Sequence, residues 1–206
     1  FCPLDEVRMA IRPPEFYDAA QQFVCRLLEG MNIDLSKNIV LDQAFCGSDP
    51  AKSFPFFPDP YAIVVDRDPR DLYIFAKKKL LSIGRFMPSD TVENFIVYYR
   101  ALRKDQAYLQ PNPRILRLRF EEMVYDYDNA TARIDQFLGV RNVDRKSVFV
   151  PESSAANTNL IKRFPEFQQD IEVIERELPE YLFHFEDYPE MDNTGKMFSG
   201  RAQKHR

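Results

Sequence analysis

Residues 61–71 read Tyr-Ala-Ile-Val-Val-Asp-Arg-Asp-Pro-Arg-Asp. The stretch YAIVVD is apolar without interruption until Asp66, the pattern of a parallel strand covered on both faces. The charged residues that follow turn the chain into a helix. Asp68 suits the N-cap and Pro69 the first helical position, so a helix is predicted from about Pro69 to Ile83. In an open parallel sheet, ligands bind beyond the carboxyl ends of the strands. A helix start directs unpaired N–H groups and a partial positive charge outward. Arg67 stands immediately before that start, and a guanidinium so placed suits a phosphate or sulfate. The same residues also suit a capped helix with surface ion pairs and no ligand.

Working outward, residues 14–29 place Phe16, Ala20, Phe23, Val24, Leu27 and Leu28 at helical spacing, with Gly30 as a stop. Residues 39–45, IVLDQAF, read as a short strand, followed by a loop rich in Pro, Gly, Ser and Asp. A helix is predicted over 90–109 and broken by Pro111 and Pro113. Residues 115–120, ILRLRF, alternate apolar and basic side chains with the period of a strand. Helices follow at 127–138, stopped by Gly139, and at 163–178. Helices linking strands through short turns imply a parallel α/β sheet flanked by helices. The expectation is one domain over 1–206, with a helical lead-in at 1–36, a core at 37–182 and a loose polar tail at 187–206.

Of the 206 residues, 45% are apolar and 29% charged, which suits a globular domain with a sizeable core. The net charge of −4 argues against a general nucleic-acid or membrane-surface binder. No apolar run approaches the roughly 20 residues of a membrane span. Cys2, Cys25 and Cys46 form no C-x-x-C and no disulfide framework, so a reducing cytoplasm is the default, with an upstream targeting segment left open. His184 and His205 have no metal-ligand spacing, and no metal is expected.

Three blocks, in order, resemble the sulfotransferase family: V-x-R-D-P-R-D at the end of the apolar strand, RILRLRFEEMVYDYDNATARIDQFLGV at 114–140, and SSAANTNLIKRF at 153–164. The resemblance spans roughly residues 37–182. It implies a P-loop-like fold using 3′-phosphoadenosine-5′-phosphosulfate (PAPS) as co-substrate. Arg67 matches the arginine that binds the 3′-phosphate, with Asp68 and Arg70 in the same segment. Where relatives place a serine eight positions after that arginine, this chain has Phe75, so either Tyr73 or Lys77 substitutes as donor or the phosphate is held more weakly. Phe120 matches an aromatic near the adenine, although it also suits a core. Ser153, Ser154 and Asn157 fall in the block that approaches the nucleotide, where plain turn chemistry is the alternative.

The chain departs from the family in two further ways. The Lys/Arg-Ser/Gly-Gly/Ser-Thr loop that holds the 5′-phosphosulfate does not occur before Phe16; it is expected upstream of Phe1, with the first strand, the alternative being a divergent or truncated protein. The segment that supplies the base in relatives here reads Leu41, Asp42, Gln43, Ala44, which leaves Asp42 as the candidate general base. An Asp there is also ordinary turn material. The reading is therefore sulfuryl transfer from PAPS to a hydroxyl or amine of a small molecule or glycan, for example a saccharide or lipid headgroup. The alternatives are a P-loop-type small-molecule or nucleotide kinase, since fold does not separate the two, and a non-catalytic binding module.

Overall fold

The computed structural model describes residues 13–78, 87–103, 111–140 and 149–197. The chain is mixed α/β, mostly helical, with one small parallel sheet of two strands. Two compact units are present. The first comprises described residues 13–62 and 111–115, and the second holds the rest.

In the first unit, α1 (Pro13–Gly30) carries the apolar spacing predicted for it. A 3-10 turn at Pro50–Phe56 lies against it: Gln21 Nε2 donates to the Pro55 carbonyl at 2.9 Å, and Phe16 and Tyr17 meet the Phe56 ring edge to face. Phe45 packs on Phe54 and Phe57, and Arg114 pairs with Asp59 at 2.6 Å. The strand predicted at 39–45 does not form. Asp42 and Gln43 make a turn, Gln43 takes a left-handed φ of 56°, and Val40 is 94% exposed. An apolar run becomes a strand only when a neighbour accepts its hydrogen bonds, and this one has none among the described residues.

The second unit holds the sheet, apart from the first residue of each strand. Among the described residues, β1 (Ala62–Asp66) and β2 (Ile115–Arg119) are the strands that form, fewer than predicted. α2 (Pro69–Lys78) begins where the Asp-Pro signal put it: the Asp68 carboxylate accepts the Arg70 N–H at 2.8 Å. The predicted continuation to Ile83 lies outside the described residues. The same holds for the end of the next helix, described as α3 (Val92–Arg103).

β2 stops one residue short of the prediction. Phe120 opens a short helix, α4 (Phe120–Tyr125), whose start is closed by the Glu122 carboxylate accepting the Arg119 N–H at 2.7 Å. Then α5 (Tyr127–Leu138) ends at Gly139, whose φ of 63° is the left-handed C-cap for which glycine carries no Cβ penalty. After α6 (Pro151–Ser154), Pro165 holds the chain in a 3-10 turn, so α7 (Gln168–Glu177) starts later than predicted.

The core of this unit is a three-helix contact. Tyr73 and Ile74 of α2, Phe95, Ile96 and Tyr99 of α3, and Ile171 and Ile174 of α7 are all buried, with Leu160 and Leu178. The segment expected as a loose tail is attached as far as Met197. Asn193 donates to the carbonyls of Thr158 and Asn159 at 3.2 and 3.0 Å, and Met197 is buried. No helix among the described residues is long and apolar enough to cross a membrane.

Candidate anion site at the strand tips

The carboxyl ends of β1 and β2 face a crevice of about 250 Å³ lined by Asp66, Arg67, Tyr99, Arg117, Arg119 and Glu122, with Leu118 and Tyr181. β1 is tied down at its tip by α3. Arg103, largely buried, pairs with Asp66 at 2.9 Å and stacks 3.6 Å from the Tyr99 ring centroid, while the Tyr99 hydroxyl donates to the Arg67 carbonyl at 3.0 Å. Arg117 and Arg119, two residues apart on β2, add positive charge. Arg117 lies 3.6 Å from Asp66, and Arg119 donates to the Tyr181 carbonyl at 2.8 Å.

Arg67 is held by three segments far apart in sequence. Its Nη2 donates to the carbonyl of Asn157. Its guanidinium lies 4.9 Å from the Phe75 ring and 5.3 Å from the Phe120 ring. A cation between two aromatic faces is stabilised by their quadrupoles. Its Nε is buried without a hydrogen-bond partner among the described residues. Phe75 therefore helps to orient the guanidinium.

The helix end beside Arg67 is not open, as the sequence suggested, but is filled by the protein's own carboxylates. Asp68 is 0% exposed and accepts from the Arg70 backbone N–H, the Arg70 side chain (Nη2 at 2.7 Å) and the Phe183 N–H at 2.7 Å. Glu121 of α4, also 0% exposed, accepts the Asp68 N–H on Oε1 at 3.0 Å, and its Oε2 has no partner among the described residues. Asp71, 1% exposed, accepts the N–H groups of Asn159 and Leu160, each at 2.8 Å, which ties the loop after α6 to α2. Burial first, and then the nearby Asp71 charge, push the Glu121 carboxyl up to about 8. Burial and Asp68 push Asp71 up too, while Arg67 and the two N–H donors pull it back.

The other candidate residues divide into those that meet Arg67 and those engaged elsewhere. Phe120 and Asn157 meet it, Asn157 through its backbone carbonyl. Arg70 is bound to Asp68, Glu175 and the Phe183 carbonyl, a rivet rather than a free cation. The Tyr73 hydroxyl donates to Asp170 at 2.6 Å and Lys77 to the Asp90 carbonyl at 2.9 Å, so both, the expected substitute donors, are engaged within the protein. Ser154 is buried, with its carbonyl facing the Asn157 amide at 3.4 Å, and Ser153 is exposed on a separate crevice with Asp192 and Lys196. Asp42 sits on an exposed turn of the first unit. Sequence reading assigned no role to Asp71, Arg103 or Glu121. For Glu121 the available signal was position: it is the second residue after a strand, where a carboxylate can reach across to a neighbouring helix start.

No protein-family model matches the chain, and neither the curated proteins nor the solved structures contain a match to it.

Proposed function

We propose a sulfotransferase-like protein that moves a sulfuryl group from PAPS to a hydroxyl or amine acceptor, with Arg67 holding the ribose 3′-phosphate. The observation that carries this reading is the convergence of three distant segments on one guanidinium: the end of β1, the start of α4 at Phe120, and the 155–160 loop at Asn157. Those are the three blocks that resemble the family. The buried Nε is a donor with its capacity unspent, and a buried donor without a partner costs about 1–3 kcal/mol until something accepts from it. A phosphate oxygen suits it.

The fit has a definite form. The guanidinium, not the helix dipole, supplies the attraction, because Asp68 and Glu121 occupy the helix end. Phe120 offers an aromatic surface beside the guanidinium, and the Asn157 carbonyl fixes the fork's direction. PAPS supplies the sulfuryl group and the bisphosphate leaving group. The residues at the strand tips bind and orient the 3′-phosphate end, and the acceptor is a hydroxyl or amine such as that of a saccharide or lipid headgroup.

The test is a melting experiment on the full-length protein with adenosine 3′,5′-bisphosphate. The expected outcome is a raised melting temperature that Arg67→Ala abolishes. No shift in the wild type, or an equal shift in Arg67→Ala, contradicts the reading. The closed helix end and the stacked Phe75 favour a second reading, a module that keeps the fold without catalysis. Turnover of PAPS with a pool of acceptors excludes it.

A further inference from the structure

Beneath Arg67, three buried carboxylates, Asp68, Asp71 and Glu121, lie with two half-buried guanidiniums, those of Arg67 and Arg70. Fully ionised, the group carries one negative charge too many, and its carboxylates are the part shut off from water. A buried charge without compensation is expensive, and the usual resolution is to bind a proton. The hydrogen bonds decide where that proton sits. Asp68 is saturated by Arg70 and the Phe183 N–H, all donors to an ionised oxygen. Asp71 accepts two backbone N–H groups, one on each oxygen, and faces Arg67. Glu121 has one accepted bond on Oε1 and an empty Oε2, also buried.

We propose that Glu121 is a neutral carboxylic acid in the folded protein at neutral pH, and that losing its proton loosens anion binding at Arg67. The second half rests on the nucleotide reading above, whereas the first does not. The titratable groups facing Glu121 are Asp68 and Asp71 from α2 and its lead-in and Tyr125 from its own helix; Arg67 acts on the cluster through Asp71, and Arg70 and Glu175 of α7 through Asp68. When Glu121 ionises, the group gains the excess negative charge, which competes for the field of Arg67. The pKa direction agrees with the geometry. Burial raises the Glu121 carboxyl from 4.5 to about 8. The folded state therefore binds the extra proton between those values. The stabilisation is complete below about 4.5 and is lost as pH rises through about 8.

The test follows the carboxyl carbon of Glu121 by NMR in full-length protein labelled at glutamate, assigned by its disappearance in Glu121→Gln. The expected result is a protonated shift at about pH 7 that moves only at higher pH. A resonance already in its ionised position below about pH 6 overturns the proposal. Glu121→Gln reproduces the size and neutrality of the acid, so it should match wild-type stability at neutral pH and exceed it under alkaline conditions. A Gln variant that fails to fold, or is much less stable at neutral pH, also overturns it. Affinity for adenosine 3′,5′-bisphosphate should fall from about pH 7 to about pH 9 in the wild type and stay level in Glu121→Gln. An equal fall in both proteins overturns the coupling. If neither protein binds the bisphosphate at any pH, the nucleotide reading and the coupling fail together, while the NMR titration still decides the proton.

Discussion

Two short, largely apolar runs, residues 39–45 and 61–66, both read as strands in the sequence, and each carries a candidate site residue, Asp42 within the first and Arg67 just after the second. Their fates differ. The second becomes β1, with β2 beside it, the Arg103–Asp66 pair at its tip and the Tyr99 hydroxyl donating to the carbonyl of Arg67, the residue after it. The first stays without a ladder partner among the described residues, and its Asp42 sits on an exposed turn. The difference teaches that a side chain beside a strand-like run is not positioned by that run alone. It needs side chains from other elements to fix it, as Arg67 is fixed by Phe75, Phe120 and Asn157.

The sharpest way to break this contrast is to remove the central carboxylate at the built junction. Asp68→Ala leaves the Arg70 guanidinium largely buried and without its main partner. Breaking a buried pair from one side costs about 3–5 kcal/mol, so denaturant melts should show a loss of that size. A loss under about 1 kcal/mol would mean that the cluster does not organise the junction. Next in size, Tyr73→Phe deletes the hydroxyl that donates to Asp170 at 2.6 Å between α2 and α7. It should cost about 1–2 kcal/mol, and a double-mutant cycle with Asp170→Ala should recover most of that as coupling. Smallest of all, Asp42→Ala should change stability by no more than about 0.5 kcal/mol, since an exposed turn residue loses little. If Asp42 is the base, the same variant should lower turnover of PAPS while leaving bisphosphate affinity unchanged.

Local signals were the most legible part of the sequence. Asp68-Pro69 fixed the start of α2, and Gly139 the end of α5, because capping is a matter of a few adjacent residues. Strand formation was legible only where pairing followed: β1 and β2 read correctly, residues 39–45 did not, because pairing depends on partners distant in the chain. The turn to helix at Phe120 was hidden by an apolar-basic alternation that continues one residue past the last strand position. At the site, Arg67, Phe120 and Asn157 could be named from their blocks. The closure of the helix end could not, because it depends on Glu121, fifty-three residues from Asp68 in sequence. Arg70 and Tyr73 were assigned to a ligand because their own partners, Glu175 and Asp170, lie about a hundred residues away.

The most direct measurement follows the Arg67 side-chain Nε–H by nitrogen-15 NMR as adenosine 3′,5′-bisphosphate is added to the full-length protein. A large, saturating shift of that resonance, with the Arg103 and Arg70 signals nearly still, is the predicted result. Saturating binding that leaves Arg67 Nε unmoved would contradict the assignment of this guanidinium as the group that holds the phosphate.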